Sequence, residues 1–374
     1  MKTAWTAKHA NQFFLVIICL LVLVHFVVVP IFVLLDIPYF AWVMLPQVVF
    51  LFPALYVMLK HDMLRLRGDI PTKGQSGKRG KAPFLYTRKL LRLRGDIPTK
   101  GQSEKRGNAP FLYTRKLLRL RGDIPTKGQS EKRDNVPLPN IVFAVLFAVL
   151  ALPIAAFISE LSAYIFPNDI GEVLADGAET LDFAFMFVLF AVLPSVCEEL
   201  LFRGVYLHGF RNTSPIKACL INGLAFSAAH FNLHQGIYAF FFGTAVAYMV
   251  YLTGSVLMGF FTHITFNGAN VGLAYLPLES PEAAEVVSGG ELVDLFVIAL
   301  VCAVVGLVLF REFVVYNKRA EEAKEAKEAQ SEETQSEETQ AEESEETQNE
   351  RVFTAPFWLG LGIALFVAVY YFFM

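Results

Sequence analysis

Three apolar stretches within about 70 residues carry side chains that could together hydrolyse a peptide bond. PSVCEELLFRG holds Glu198, Glu199 and Arg203, FSAAHF holds Phe226 and His230, and FTHITFNGAN holds His263, Asn267 and Asn270. Ionisable groups inside apolar spans are costly, and by default they mark a working site. Glu199 and Arg203 are four residues apart, so on a helix they share a face and can pair. Glu198 then points about 100° away, at 3.6 residues per turn. It is left to face a cavity, where a carboxylate can act as general base on a water. His263 and Asn267 are also four apart and face one way. An imidazole and an amide so placed can orient a water, bind a metal or donate to an oxyanion. Each stretch alone also has a plainer reading: a Glu–Arg pair at a helix end, a helix-bridging His, a polar seam between helices. Taken together they supply a base, a water-holder and an oxyanion donor. His234 gives an HxxxH spacing with His230, but Phe231 stands where the zinc helix HExxH has its Glu. His234 is expected in a short loop, facing water.

These side chains need a scaffold, and the composition names its class. The chain has 374 residues, 55% of them hydrophobic, with 35 Phe. Runs of about 20 apolar residues recur, enough to cross a bilayer core of roughly 30 Å. The expected fold is an all-α polytopic transmembrane bundle of about nine spans. These fall near 13–35, 39–59, 138–158, 181–205, 215–233, 235–253, 255–276, 292–310 and 353–374. The first run is too long for a signal-peptide core and has no small-x-small cleavage site after it. Cys19, Cys197, Cys219 and Cys302 all lie in apolar segments without paired loop spacing, so no disulfide framework is expected.

Charge divides the rest of the chain. Residues 60–137 carry 21 Lys and Arg against 7 acidic residues. LRLRGDIPTKGQS begins at Leu64, Leu91 and Leu118, a period of 27 residues. Each unit has few apolar residues and contains Gly and Pro, so a disordered cytoplasmic loop is expected, the alternative being a surface for anionic lipid headgroups. Residues 318–350 are acidic and repetitive, with SEETQ at 331, 336 and 344, and should be disordered or a frayed helix. The organisation is thus a hairpin (1–59), the basic repeat loop (60–137), the membrane core with the three motifs (138–310), an acidic low-complexity linker (311–352) and a last helix (353–374). The basic loop, Arg211 with Lys217, and Arg311 with Lys318 and Arg319 place the N-terminus in the cytoplasm and the C-terminus outside. Nothing points to nucleic acid. Short loops and the lack of organelle signals suggest a bacterial plasma membrane.

EELLFR fits EExxxR, FSAAH fits FxxxH and HITFN fits HxxxN. In that order, over about 180–275, these motifs resemble the CPBP (CAAX protease and bacteriocin-processing, Abi) family, which includes type II CAAX prenyl endopeptidases. The resemblance implies that Glu198 is the base that activates water, with Glu199 and Arg203 supporting it. It implies that His230 helps hold the water or a metal, and that His263 and Asn267 bind the oxyanion. Phe226 would be structural support. The family is called a metalloprotease, and Glu198, His230 and His263 would suffice for Zn2+. A metal-free glutamate mechanism stays open beside it. The implied substrate is a membrane-embedded peptide or protein, of which a prenylated CAAX peptide is the best-known type. Two other functions also stay open. One is a bacteriocin-immunity or other membrane protein that acts by binding. The other is a transporter with a proton relay, although no inverted repeat of spans is visible. Within these boundaries Glu198 sits near one end of its helix and His230 near the opposite end of the next, yet a shared site needs them at one depth.

Overall fold

The computed structural model describes residues 5–37, 39–61, 136–166, 169–276, 289–333 and 352–373. They are helical, with no strand among the described residues. In chain order the helices are α1 (Ala7–Leu34), α2 (Tyr39–Lys60), α3 (Leu138–Ala163), α4 (Asp169–Thr180), α5 (Phe183–Phe210), α6 (Pro215–Ala228), α7 (Leu233–Thr253), α8 (Val256–Ala274), α9 (Gly289–Glu333) and α10 (Ala355–Phe373). The basic tandem repeat and the acidic repeats beyond Glu333 lie outside the described residues. Residues 318–333, expected to be disordered or frayed, continue α9. α4 occupies part of what was expected to be a loop.

All nine expected segments are helical, but among the described residues six helices meet the length and hydropathy of a membrane crossing. They are α1, α3, α5, α7, the Gly290–Ala323 part of α9 and the Ala355–Phe372 part of α10. The chain is an integral membrane protein on that ground. α2 has only Met44–Lys60 as a shorter apolar helix, and α6 is shorter still. α8 stands outside the six; it carries Thr262, His263, Thr265, Asn267 and Asn270, which dilute its hydropathy. The segment 215–233, expected to be one span, ends as a helix at Ala228 after 14 residues. At 1.5 Å per residue that is about 21 Å, short of a core of roughly 30 Å. His230 therefore lies part-way through the bundle. α5, in turn, runs 28 residues to Phe210, and its last turn, Leu207–Phe210, is buried. The short α6 and the long α5 together remove the conflict in depth between Glu198 and His230.

α5 is the interior post. Of its most apolar window 61% is buried, against 11% for α9. It packs against α2, α6 and α8, while α1 pairs with α10, α3 with α9, and α6 with α7. Its N-terminus is capped by Asp182, whose carboxylate accepts the Phe185 N–H at 3.0 Å. The helix is irregular on both sides of Glu198 and Glu199. π-helical turns span Val188–Val192 and Leu200–Tyr206, on either side of Leu193–Glu199. Such turns leave carbonyls that need outside donors, and they gather at functional sites. Pro194 has no N–H for the Phe190 carbonyl one turn back. α7 ends at Gly254, whose φ of 61° closes the turn and aims α8 back along the bundle.

Candidate active site

α5 and α8 meet around one buried ionic cluster. Arg203 Nη1 donates to Glu199 Oε1 at 2.7 Å, with the side chains 0% and 1% exposed. The i,i+4 spacing and the π turn that begins at Leu200 bring them together. Arg203 Nη2 donates to the Gly243 carbonyl of α7 at 3.1 Å, and the guanidinium lies 4.4 Å from the centre of the Phe226 ring. So the cation is held by a carboxylate, a carbonyl and an aromatic face, each from a different helix.

The same Glu199 oxygen meets His263 Nδ1 at 3.1 Å. A carboxylate only accepts, so this nitrogen carries the proton and Nε2 is turned elsewhere. It is turned to Glu198: His263 Nε2 and Glu198 Oε2 are 3.9 Å apart. Glu198 and Glu199 thus address the two nitrogens of one imidazole. Glu198 Oε2 and Glu199 Oε2 are buried and have no hydrogen bond from the described residues. Glu199 fits because α8 has no side chain opposite it. A Cβ on Gly259, one turn before His263, would collide with that carboxylate.

His230 and Phe226 come from the end of α6. The His230 Nδ1–H donates to the Phe226 carbonyl at 2.8 Å. A carbonyl only accepts, so Nε2 is left as an acceptor. The Phe226 ring stands edge-on to both imidazoles, 4.9 Å from His230 and 5.8 Å from His263. His230 is within electrostatic reach of Glu198, His263 and Arg203. Phe231 follows it with φ 52°. A non-glycine residue in this left-handed region costs about 1–2 kcal/mol, a strain that persists where surrounding structure enforces it.

Asn267 is one turn beyond His263 on α8, and its Nδ2 donates to the Phe190 carbonyl at 3.2 Å. That is the carbonyl Pro194 cannot serve. The amide has a second N–H, which leaves one donor for another acceptor. Asn270 Nδ2 instead donates to its own helix, to the Phe266 carbonyl.

Direct contacts therefore link Glu198, Glu199, Arg203, Phe226 and His263, with His230 against the Phe226 ring and Asn267 one turn beyond His263. They do not form a zinc ligand set. Among the described residues, no three or more His, Cys, Asp or Glu side chains are placed to hold a metal ion. Glu198 and His263 face each other at 3.9 Å, and His230 stands against the Phe226 ring.

Several contributors carried no sequence signal. Gln47 of α2 reaches Glu198 Oε1. Asn222 Nδ2 donates to the Phe202 carbonyl in the π turn at 2.7 Å. Gly259 was hidden by its ordinariness, though a small residue four before His263 marks the same face. His234 overturns its expected place in water. It is 2% exposed, in the first turn of α7. Its Nε2 meets Ser159 Oγ at 2.6 Å and its Nδ1 meets Ser162 Oγ at 3.1 Å. Two hydroxyls from α3 satisfy both ring nitrogens, which makes burial tolerable.

Residues 180–269, which hold all seven of the expected site residues, match the family model described as Type II CAAX prenyl endopeptidase Rce1-like. No curated protein and no solved structure matches the chain.

Proposed function

We propose, from the match of residues 180–269 to the CAAX prenyl endopeptidase model, that the chain cleaves a membrane-associated peptide with a water activated by Glu198. One observation carries this reading. Both carboxylates keep a buried, unbonded Oε2, but Glu199 is anchored through Oε1 by Arg203 and His263, whereas the adjacent Glu198 makes no ion pair closer than the 3.9 Å between its Oε2 and His263 Nε2. Two neighbouring carboxylates thus have opposite duties, one locking the helices and one available for a proton.

A water against Glu198 Oε2 gives up a proton to it while its oxygen adds to the scissile carbonyl carbon. His230 Nε2, an acceptor, takes the water's other hydrogen as a hydrogen bond and fixes its direction. The oxyanion is met by the second N–H of Asn267 and by His263 Nε2 when that ring carries both protons. In that state two carboxylates are balanced by a guanidinium and an imidazolium, and the buried cluster is neutral. When the C–N bond breaks, the proton held by Glu198 passes to the leaving amine. The carboxylate is regenerated and no atom is left over.

The substrate must reach a site enclosed by apolar helices, so a peptide that partitions into the membrane is proposed, with a prenylated CAAX-type C-terminus as the first choice. The test is cleavage of a farnesylated, fluorogenic CAAX peptide by the purified protein in liposomes. General acid–base catalysis contributes about 10²–10⁴-fold, so Glu198→Gln should lose roughly that factor. His230→Ala and His263→Ala should also be severely impaired. Wild-type rates in all three variants would rule out this site.

A further inference from the structure

Gln47 is the single amide in the apolar helix Tyr39–Lys60, far in sequence from the three motifs and outside the matched segment. A polar side chain in such a helix is costly unless bonded. It is buried, 8% exposed, and its Nε2 lies 3.5 Å from Glu198 Oε1. The carboxylate accepts only, so the amide nitrogen must face it and the amide oxygen must point away. That oxygen, Gln47 Oε1, is buried and has no hydrogen bond from the described residues, as is true of Glu198 Oε2. The contact is long, as catalytic hydrogen bonds often are before substrate tightens them.

We infer that Gln47 is a positioning residue for Glu198, supplied by the N-terminal hairpin and completing the site from outside the family segment. This rests on the proposed peptidase reading. Its N–H holds Oε1 of Glu198, so that Oε2 is the oxygen presented to the water. The consequence is that 1–59 is part of the active unit rather than an appended anchor, since α2 packs directly on α5 at the site.

The test compares the full chain with Gln47→Leu and with Gln47→Met, which removes the amide on an unbranched side chain should leucine pack poorly. A hydrogen bond to a charged group is strong enough that kcat should fall about 10-fold to 100-fold. KM should stay within about two-fold, and kcat is read per folded molecule because the same lost hydrogen bond also lowers stability. A residue that only packs would lower stability and leave kcat per folded molecule intact. A second readout needs no activity. Infrared difference spectra of wild type minus Gln47→Leu should show a displaced carboxylate band that disappears when the same pair is compared in the Glu198→Gln background. Glu198-dependent cleavage with wild-type kcat in both Gln47 variants would overturn the assignment and leave the peptidase reading standing. An unshifted carboxylate band would overturn it independently. A wild-type protein that cleaves nothing would strike the peptidase reading itself, and the band would still decide whether Gln47 holds Glu198.

Discussion

Replacing Arg203 with methionine keeps most of the side-chain volume and removes the charge. Glu199, whose side chain is 1% exposed, would then lose its 2.7 Å partner. The Gly243 carbonyl would lose a donor and the Phe226 ring its cation. Breaking a buried pair by deleting one partner costs about 3–5 kcal/mol, because a charge is left buried and uncompensated. His263 Nδ1 still meets the same Glu199 oxygen at 3.1 Å, so the lower end, about 3 kcal/mol, is expected. At 1.4 kcal/mol per factor of ten, that is roughly a 100-fold shift in the folding equilibrium. Reversible unfolding in mixed SDS and detergent micelles measures it. The double variant Glu199→Gln with Arg203→Met should recover much of the loss, since a neutral amide leaves no buried charge behind. The reasoning fails if Arg203→Met is within about 0.5 kcal/mol of wild type, or if the double variant is no more stable than the single one.

Three further substitutions test other parts of the account. Gly259→Ala places a Cβ against the Glu199 carboxylate; overpacking of this kind costs about 1–3 kcal/mol, and cleavage should fall with it. Gly272→Ala on the same helix meets nothing within 4 Å, so it should be neutral or gain up to about 1 kcal/mol from helix propensity. Loss of cleavage in both, or in neither, would contradict the steric argument. His234→Ala leaves Ser159 and Ser162 without their buried partner and should destabilise by about 1–3 kcal/mol. Its cleavage rate per folded molecule should stay at the wild-type value, and a fall there would give His234 a role in the chemistry.

How much of this was legible in the residues follows from what each signal depends on. The Glu199–Arg203 pair follows from helical spacing, a local property, and the geometry agrees with it. The common face of His263 and Asn267 is local in the same way. The span count was not legible to the same degree. Apolar composition continues across residues 215–233, while the helix stops at Ala228 and the chain takes a left-handed turn at Phe231. Hydropathy senses the apolar run and not the turn. Interhelical partners were hidden for another reason. Gln47 and Glu198 are 151 residues apart and His234 and Ser159 are 75 apart, so no spacing rule joins them. The role of Asn267 became clear only beside Pro194. A proline that withholds an N–H from Phe190 creates the need, and an amide from another helix meets it.

The central claim is that this membrane protein is an endopeptidase whose chemistry passes through Glu198. Its most direct test makes no assumption about the substrate. Cells that express the wild type are compared with cells that express Glu198→Gln at equal level, by quantitative mass spectrometry of peptide termini in the membrane fraction. The account predicts at least one new terminus present in the wild type and missing in the variant, with the uncleaved precursor accumulating. Identical sets of membrane termini, with the variant folded and equally abundant, would contradict it.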